Sequence, residues 1–223
     1  MTYSPIAPGT SNWDVPVNAA FTSQDSRITA NEATDAAQNV RLNALEVNTG
    51  LKPVSPGWLA WNYDPHVATG STALTTGQLH MIRLDLPAAT VVNNVVYVVM
   101  TIGATLTAGQ NLVGLYDASG TLLASTADQS GNWTTAGLKT TAFVSPPTVA
   151  AGTYYLGFLS NGTTPMSLLR TTGSVAQANM INLGMPAATA RWATTGAGLT
   201  ALPSPITMSG RTLAGGATWA ALS

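Results

Sequence analysis

Cysteine is absent from this 223-residue chain, which excludes a disulfide framework and any thiolate metal site. Charge is scarce too. Asp, Glu, Lys and Arg make up 8% of the residues, against roughly a quarter in an average soluble domain. No run of Lys or Arg occurs, and the formal net charge is -1, so neither a nucleic acid nor an anionic membrane surface is an expected partner. No apolar stretch is long enough to span a bilayer: the longest, from Val91 to Ile102, is broken by Asn93 and Asn94. The first residues lack the basic and apolar regions of a secretory signal, so export by the usual secretory route is not expected.

Catalytic signatures are missing as well. There is no Gly-x-Ser-x-Gly elbow, P-loop or dinucleotide fingerprint. Of the two histidines, His66 stands beside Asp64, and with His80 the three form only a loose candidate metal set; a turn and an ordinary strand residue are the expected roles. A glycosidase needs two carboxylates facing across a sugar. After Pro53 the acids are Asp64, Asp85, Asp117 and Asp128, well separated except for the last two, with Asp117 explained by a turn. No enzyme activity, cofactor or metal is expected.

What the chain does have is a phrase written twice. Arg27-Ile28-Thr29-Ala30-Asn31-Glu32 returns fourteen residues later as Arg41-Leu42-Asn43-Ala44-Leu45-Glu46. Fourteen residues are two heptads, so equivalent residues return to the same helix face. Six of the seventeen charges lie between Asp25 and Glu46. The spacing predicts a helix over residues 22–50. Thr22 to Asp25 fits a capping box, Gly50 with Leu51 folding back on Leu45 fits a Schellman stop, and Pro53 forbids continuation. The second copy, Arg-apolar-x-x-apolar-Glu, resembles the signature of short trimeric coiled coils. That resemblance implies a seam of Ile28, Asn31, Asp35, Gln38, Leu42 and Leu45, with Arg41 reaching toward Glu46 of a neighbouring helix. The polar members fix register at a cost in stability, Asp35 being the awkward one. A second stripe, Ala30, Ala33, Ala37, Val40, Ala44, Val47 and Leu51, recurs on the opposite side. It suits close packing of small residues but leaves the repeated Arg and Glu unexplained.

Residues 1–21 carry three prolines before Val17 and one large aromatic, Trp13. They read as an extended anchor, with Trp13, Val15 and Val17 as the contacts to a partner. From Gly57 onward short β-branched and aromatic segments alternate with Gly, Pro, Asn and Asp. Expected strands are 58–63, 79–86, 91–102, 112–116, 122–125, 140–144, 154–159 and 166–170. His80-Met81-Ile82-Arg83-Leu84-Asp85-Leu86 alternates strictly, and Val95–Met100 is apolar on both faces, the mark of an inner strand. Asp117 to Gly120 is a hairpin turn. The expected architecture is mainly β: an antiparallel, jelly-roll-like sandwich over 57–223, preceded by the coiled coil and the anchor. Residues 187–223 either complete that sandwich or swap onto a neighbouring subunit.

One loop has the make-up of a sugar-binding surface. Asp128-Gln129-Ser130-Gly131-Asn132-Trp133 places an aromatic ring beside an amide and a carboxylate, so Trp133, Asn132 and Asp128 are candidate glycan contacts. The competing role for Trp133 is to plug the mouth of the sandwich.

The segments LVGLYDASGTLLASTADQSGNWTTAGLKTTAF (112–143) and AGTYYLGFLSNGTTP (151–165) resemble the β-sandwich module of minor tail and tail-fibre proteins from actinobacterial phages and prophages. GWLAWNYDP (57–65) and GQLHMIRLDL (77–86) are similar to earlier strands of that module. The resemblance covers about half of the chain and consists of turns and strands, not catalytic residues. It implies a homotrimeric tail-associated virion protein, assembled in the host cytoplasm and exposed on the particle. It would contact other virion proteins through residues 1–21 and a host cell-surface glycan through the head. A capsid-attached head fibre or decoration protein, and a polysaccharide depolymerase, are the alternatives.

Overall fold

The computed structural model describes residues 14–47, 52–171 and 178–223. The chain divides into two compact units, Met1–Leu51 and Lys52–Ser223.

The described residues of the first unit form one helix, α1 (Asp14–Val47), of 34 residues and thus roughly 50 Å long. It begins eight residues before the expected start, so residues 14–21 are helical and not extended. Pro16 sits within the first turn, where its missing N–H belongs to the four that an α-helix leaves unsatisfied. Thr22 is therefore not the N-cap of the helix. It lies mid-helix, and its carbonyl accepts the Ser26 hydroxyl at 2.9 Å. Thr29 and Thr34 bond back in the same way, to the carbonyls of Asp25 and Ala30. The Gly50 and Leu51 stop signals lie outside the described residues.

The second unit is mainly β, with every strand pairing antiparallel. One sheet has six strands: β1 (Ala60–Trp61), β2 (Gly70–Ala73), β5 (Asn94–Thr101), β9 (Gly137–Ala142), β13 (Ser167–Arg170) and β16 (Ala220–Leu222). Along β5, β9 occupies one side, while β16 and β13 follow one another along the other. The second sheet runs β15 (Thr212–Leu213), β14 (Trp192–Thr194), β3 (Leu79–Leu86), β11 (Gly152–Leu159), β7 (Leu112–Asp117) and β8 (Leu122–Ser125). Two short ribbons, β4 (Thr90–Val91) with β10 (Thr148–Val149) and β6 (Ala104–Leu106) with β12 (Gly162–Thr164), complete the strands.

Inward residues of both sheets share one core: Val95, Tyr97, Val99 and Leu168 from the first, Ile82, Leu84, Leu115 and Phe158 from the second. The Tyr97 and Phe158 rings meet edge-to-face at 5.2 Å across it. This is a sandwich-like arrangement of two sheets. The outer face of the second sheet is covered as well. Leu79, Met81, Tyr116, Tyr155 and Leu159 pack under Leu199, Leu202, Ile206 and Met208. That cover explains why Tyr154–Leu159 is apolar throughout and buried at every position.

The tail is part of this unit. β14 lies beside β3, and β16 lies beside β5, so residues 187–223 complete both sheets within the one chain. The hairpin at Asp117 has the expected form. Asp117 Oδ1 accepts the Ser119 and Thr121 N–H groups, each at 2.9 Å, and Gly120 adopts φ +91°. A Cβ at Gly120 would collide with the Ile206 carbonyl, so the turn also docks the tail.

Candidate functional site

Ile28, Asn31, Asp35 and Gln38 all lie on α1 and are solvent-exposed in the single chain, as are Ala30, Ala33 and Ala37 of the opposite stripe. Phe21 and Ile28 are 61% and 51% exposed, large apolar side chains open to water. Arg41, Leu42, Leu45 and Glu46 belong to the same helix, but their side chains lie outside the described residues. Val15 and Val17 are helical, and Trp13 falls outside the described residues.

Trp133 is not a sugar platform. It is fully buried within the common core, and its indole Nε1–H donates to the Tyr97 hydroxyl at 2.8 Å. Asp128 and Asn132 serve the loop that holds it. Asp128 Oδ1 accepts the Asn111 N–H at 3.1 Å and the Ser130 hydroxyl at 3.0 Å, and the Asn132 amide donates to Gln129 Oε1 at 2.9 Å. Burial opposes ionisation of Asp128, but hydrogen bonds from the Gly109 backbone, Ser130 and Asn111 outweigh it and hold the carboxyl below its ordinary range. The loop's polar residues are therefore occupied in closing the sandwich over Trp133.

The remaining acids are likewise engaged locally. Asp64 Oδ1 accepts the His66 N–H at 2.9 Å and caps the short turn Pro65–Val67. Asp85 pairs with Arg83 at 3.0 Å and accepts the Thr153 hydroxyl at 2.6 Å. Among the described residues, no group of three or more His, Asp or Glu side chains is arranged to hold a metal ion.

A cleft of about 580 Å³ lies at the mouth between the two sheets, where edge strand β2 approaches edge strand β15. That volume lies within the usual range for small-ligand sites, about 300–1,000 Å³. Its floor comes from three neighbouring strands. Thr194 pairs with His80 on one side and with Thr212 on the other, so the three side chains form a lateral row on the inner face of the second sheet. Thr72 and Arg170 line the wall provided by the first sheet, and Leu213, Ala214, Gly215 and Gly216 cross between the sheets. A Cβ at Gly216 would stand 3.1 Å from Thr72 Oγ1, so a larger residue there would need the Thr72 side chain to give by a few tenths of an ångström.

His80 is fixed by the connection from β2 to β3, where Thr75 N–H donates to its Nε2 at 3.1 Å. Burial lowers its pKa to about 4, so the imidazole is neutral at physiological pH and carries its proton on Nδ1. Arg170 Nε donates to the Ser71 carbonyl at 2.6 Å, which holds the guanidinium stem against β2. Among the described residues, no carboxylate lines the cleft. Local sequence carries no sign of it, because its residues come from five separate segments that only the finished sheets bring together.

No protein-family model matches this chain, and no curated protein sequence matches it.

Proposed function

We propose that this is a homotrimeric structural protein of a phage particle, a tail-associated fibre or minor tail protein that displays its β unit for attachment to a host surface. In this reading α1 forms a parallel three-stranded coiled coil through Ile28, Asn31, Asp35, Gln38, Leu42 and Leu45, with Arg41 paired to Glu46 between helices. The β unit is a jelly-roll-like head, and residues 1–13, with Trp13, attach the trimer to other virion proteins.

One observation carries the reading: α1 exposes every described side chain from Phe21 to Asn39. An isolated helix gains little stability from propensity, and most helical stability in proteins comes from burying one face. A two-heptad repeat with Arg and Glu flanking its apolar positions supplies the face that copies of the same helix would bury. The phage assignment is supported by the strand and turn segments that resemble tail-fibre modules, and by the engagement of all four acids of the β unit in local structure.

Deleting residues 1–13 tests the anchor. The truncated protein should remain a folded trimer that no longer joins particles. Normal incorporation would remove the anchor from the account. Labelling of residue 1 on intact particles distinguishes a tail position from a capsid position.

A further inference from the structure

We propose that Asp35 makes assembly of the α1 trimer acid-driven: three copies of its carboxylate meet at one layer of the seam, and the trimer tightens as the pH falls. This regulation rests on the trimeric reading of α1.

Asp35 stands midway along the seam. The helix begins at Asp14, so Phe21, one heptad before Ile28, falls on the face of Ile28, Asp35 and Leu42. Both Phe21 and Ile28 are exposed apolar side chains. Apolar positions at Ile28 and Leu42 flank Asp35, each seven residues away, or roughly 10 Å along the axis. The Asp35 side chain is exposed in the single chain. Among the described residues, no hydrogen bond or ion pair engages its carboxylate. The four acids of the β unit, by contrast, are all held by local partners.

The charges around Asp35 offer no relief. From four residues before it to four after, the one other ionisable side chain is Glu32, an acid. In a parallel, in-register trimer the two neighbouring helices bring the same residues. The nearest cations in sequence are Arg41 and Arg27, six and eight residues away, roughly 9 and 12 Å along the axis. That is about the distance over which salt screens exposed charges. In the proposed seam each pairs with a glutamate of the next helix, Arg41 with Glu46 and Arg27 with Glu32. Three like charges gathered out of water favour proton uptake. The assembled helices therefore bind more protons than the separated ones, and acid drives association. Acid acts oppositely on Glu32 and Glu46, whose protonation breaks their pairs with the arginines. Those pairs lie at the rim of the seam, where exposed ion pairs contribute little, so the buried layer of like charges dominates.

Sedimentation of the full-length protein across a dilution series, in EDTA at pH 7.5 and at pH 5.0, tests the proposal. Where dilution alone leaves the trimer intact, equal urea is added at both pH values. The assembly constant should rise at least about tenfold at the lower pH, since uptake of one proton gives about tenfold for each pH unit. Asp35→Asn should associate at least as strongly as the wild type does at pH 7.5, and should lose the acid response. Glu32→Gln should keep it. Near-ultraviolet circular dichroism checks that the β unit is folded in each measurement. An assembly constant that is unchanged or falls with acid, or an acid response retained by Asp35→Asn, would overturn this regulation and leave the trimer standing. Sedimentation as a single chain by the wild type and both variants at both pH values would remove the trimeric reading, and this inference with it.

Discussion

The indole of Trp133 donates to the hydroxyl of Tyr97 at 2.8 Å, and that hydroxyl meets Thr141 Oγ1 at 3.1 Å, all three within the core. A loop on one side of the sandwich is thereby pinned to the central strand of the first sheet. Trp133→Ala should cost about 3–5 kcal/mol by emptying the largest buried side chain of that region. Tyr97→Phe should cost about 1–3 kcal/mol by leaving the indole N–H without its partner. Urea unfolding monitored by tryptophan fluorescence checks both. A Trp133→Ala variant of wild-type stability would return Trp133 to the surface.

The two faces of β5 should respond differently to charge. Val99 is inside the common core, whereas Val98 is only half-buried on the outer face, beside Val96 and Trp219. Val99→Asp places an unpaired carboxylate in an apolar interior and should cost several kcal/mol, enough to prevent folding. Val98→Asp should be milder and yield soluble protein. Comparing soluble expression and melting temperature of the two variants settles the orientation of the strand. The opposite order would invert its faces.

Acid should weaken the β unit through His80. Its folded pKa, about 4, lies below the ordinary 6.5, so the unfolded chain binds the proton more readily. Stability is therefore fully present above about pH 6.5 and is lost progressively as the pH falls toward 4, by up to roughly 3 kcal/mol. Asp117 and Asp128, both held below the carboxylate range, add further loss only at lower pH. Denaturant midpoints measured between pH 7.5 and 4.5 should show the decline, and His80→Gln should flatten it. An unchanged slope in that variant would assign the titration elsewhere.

The parts legible in the sequence were those set by local pattern. Strict alternation placed His80, Ile82, Leu84 and Leu86 on one face of β3, and they do face inward. The apolar run in β5 marked an inner strand, and Asp117 with Gly120 marked a turn. Strand ends moved by a few residues, and the run expected from Val91 to Ile102 divides at Asn93. The tail was ambiguous because β14, β15 and β16 are two or three residues long: β14 and β16 acquire their register from β3 and β5, at least a hundred residues earlier, and β15 acquires its register from β14. The helix start was missed because Pro16 reads as a breaker unless it falls in a first turn. Trp133 looked available because its loop is polar, yet those polar groups bond to one another and to Asn111. His80 was legible as an inward strand residue, but the threonines that join it in the cleft carry no signature of their own.

The seam of α1 can be probed by charge. Leu42→Asp together with Leu45→Asp would gather three carboxylates at each of two layers of a trimer, and the double variant should dissociate. The β unit, Lys52–Ser223, has its own core and should keep its melting transition. Analytical ultracentrifugation distinguishes dissociation from unfolding, and a wild-type sedimentation coefficient would exclude this seam.

The central claim is self-association into threes, and the absolute mass in solution tests it most directly. Light scattering on the full-length protein at micromolar concentration should return three times the 22.8 kDa chain mass. A mass equal to one chain under those conditions would contradict the account.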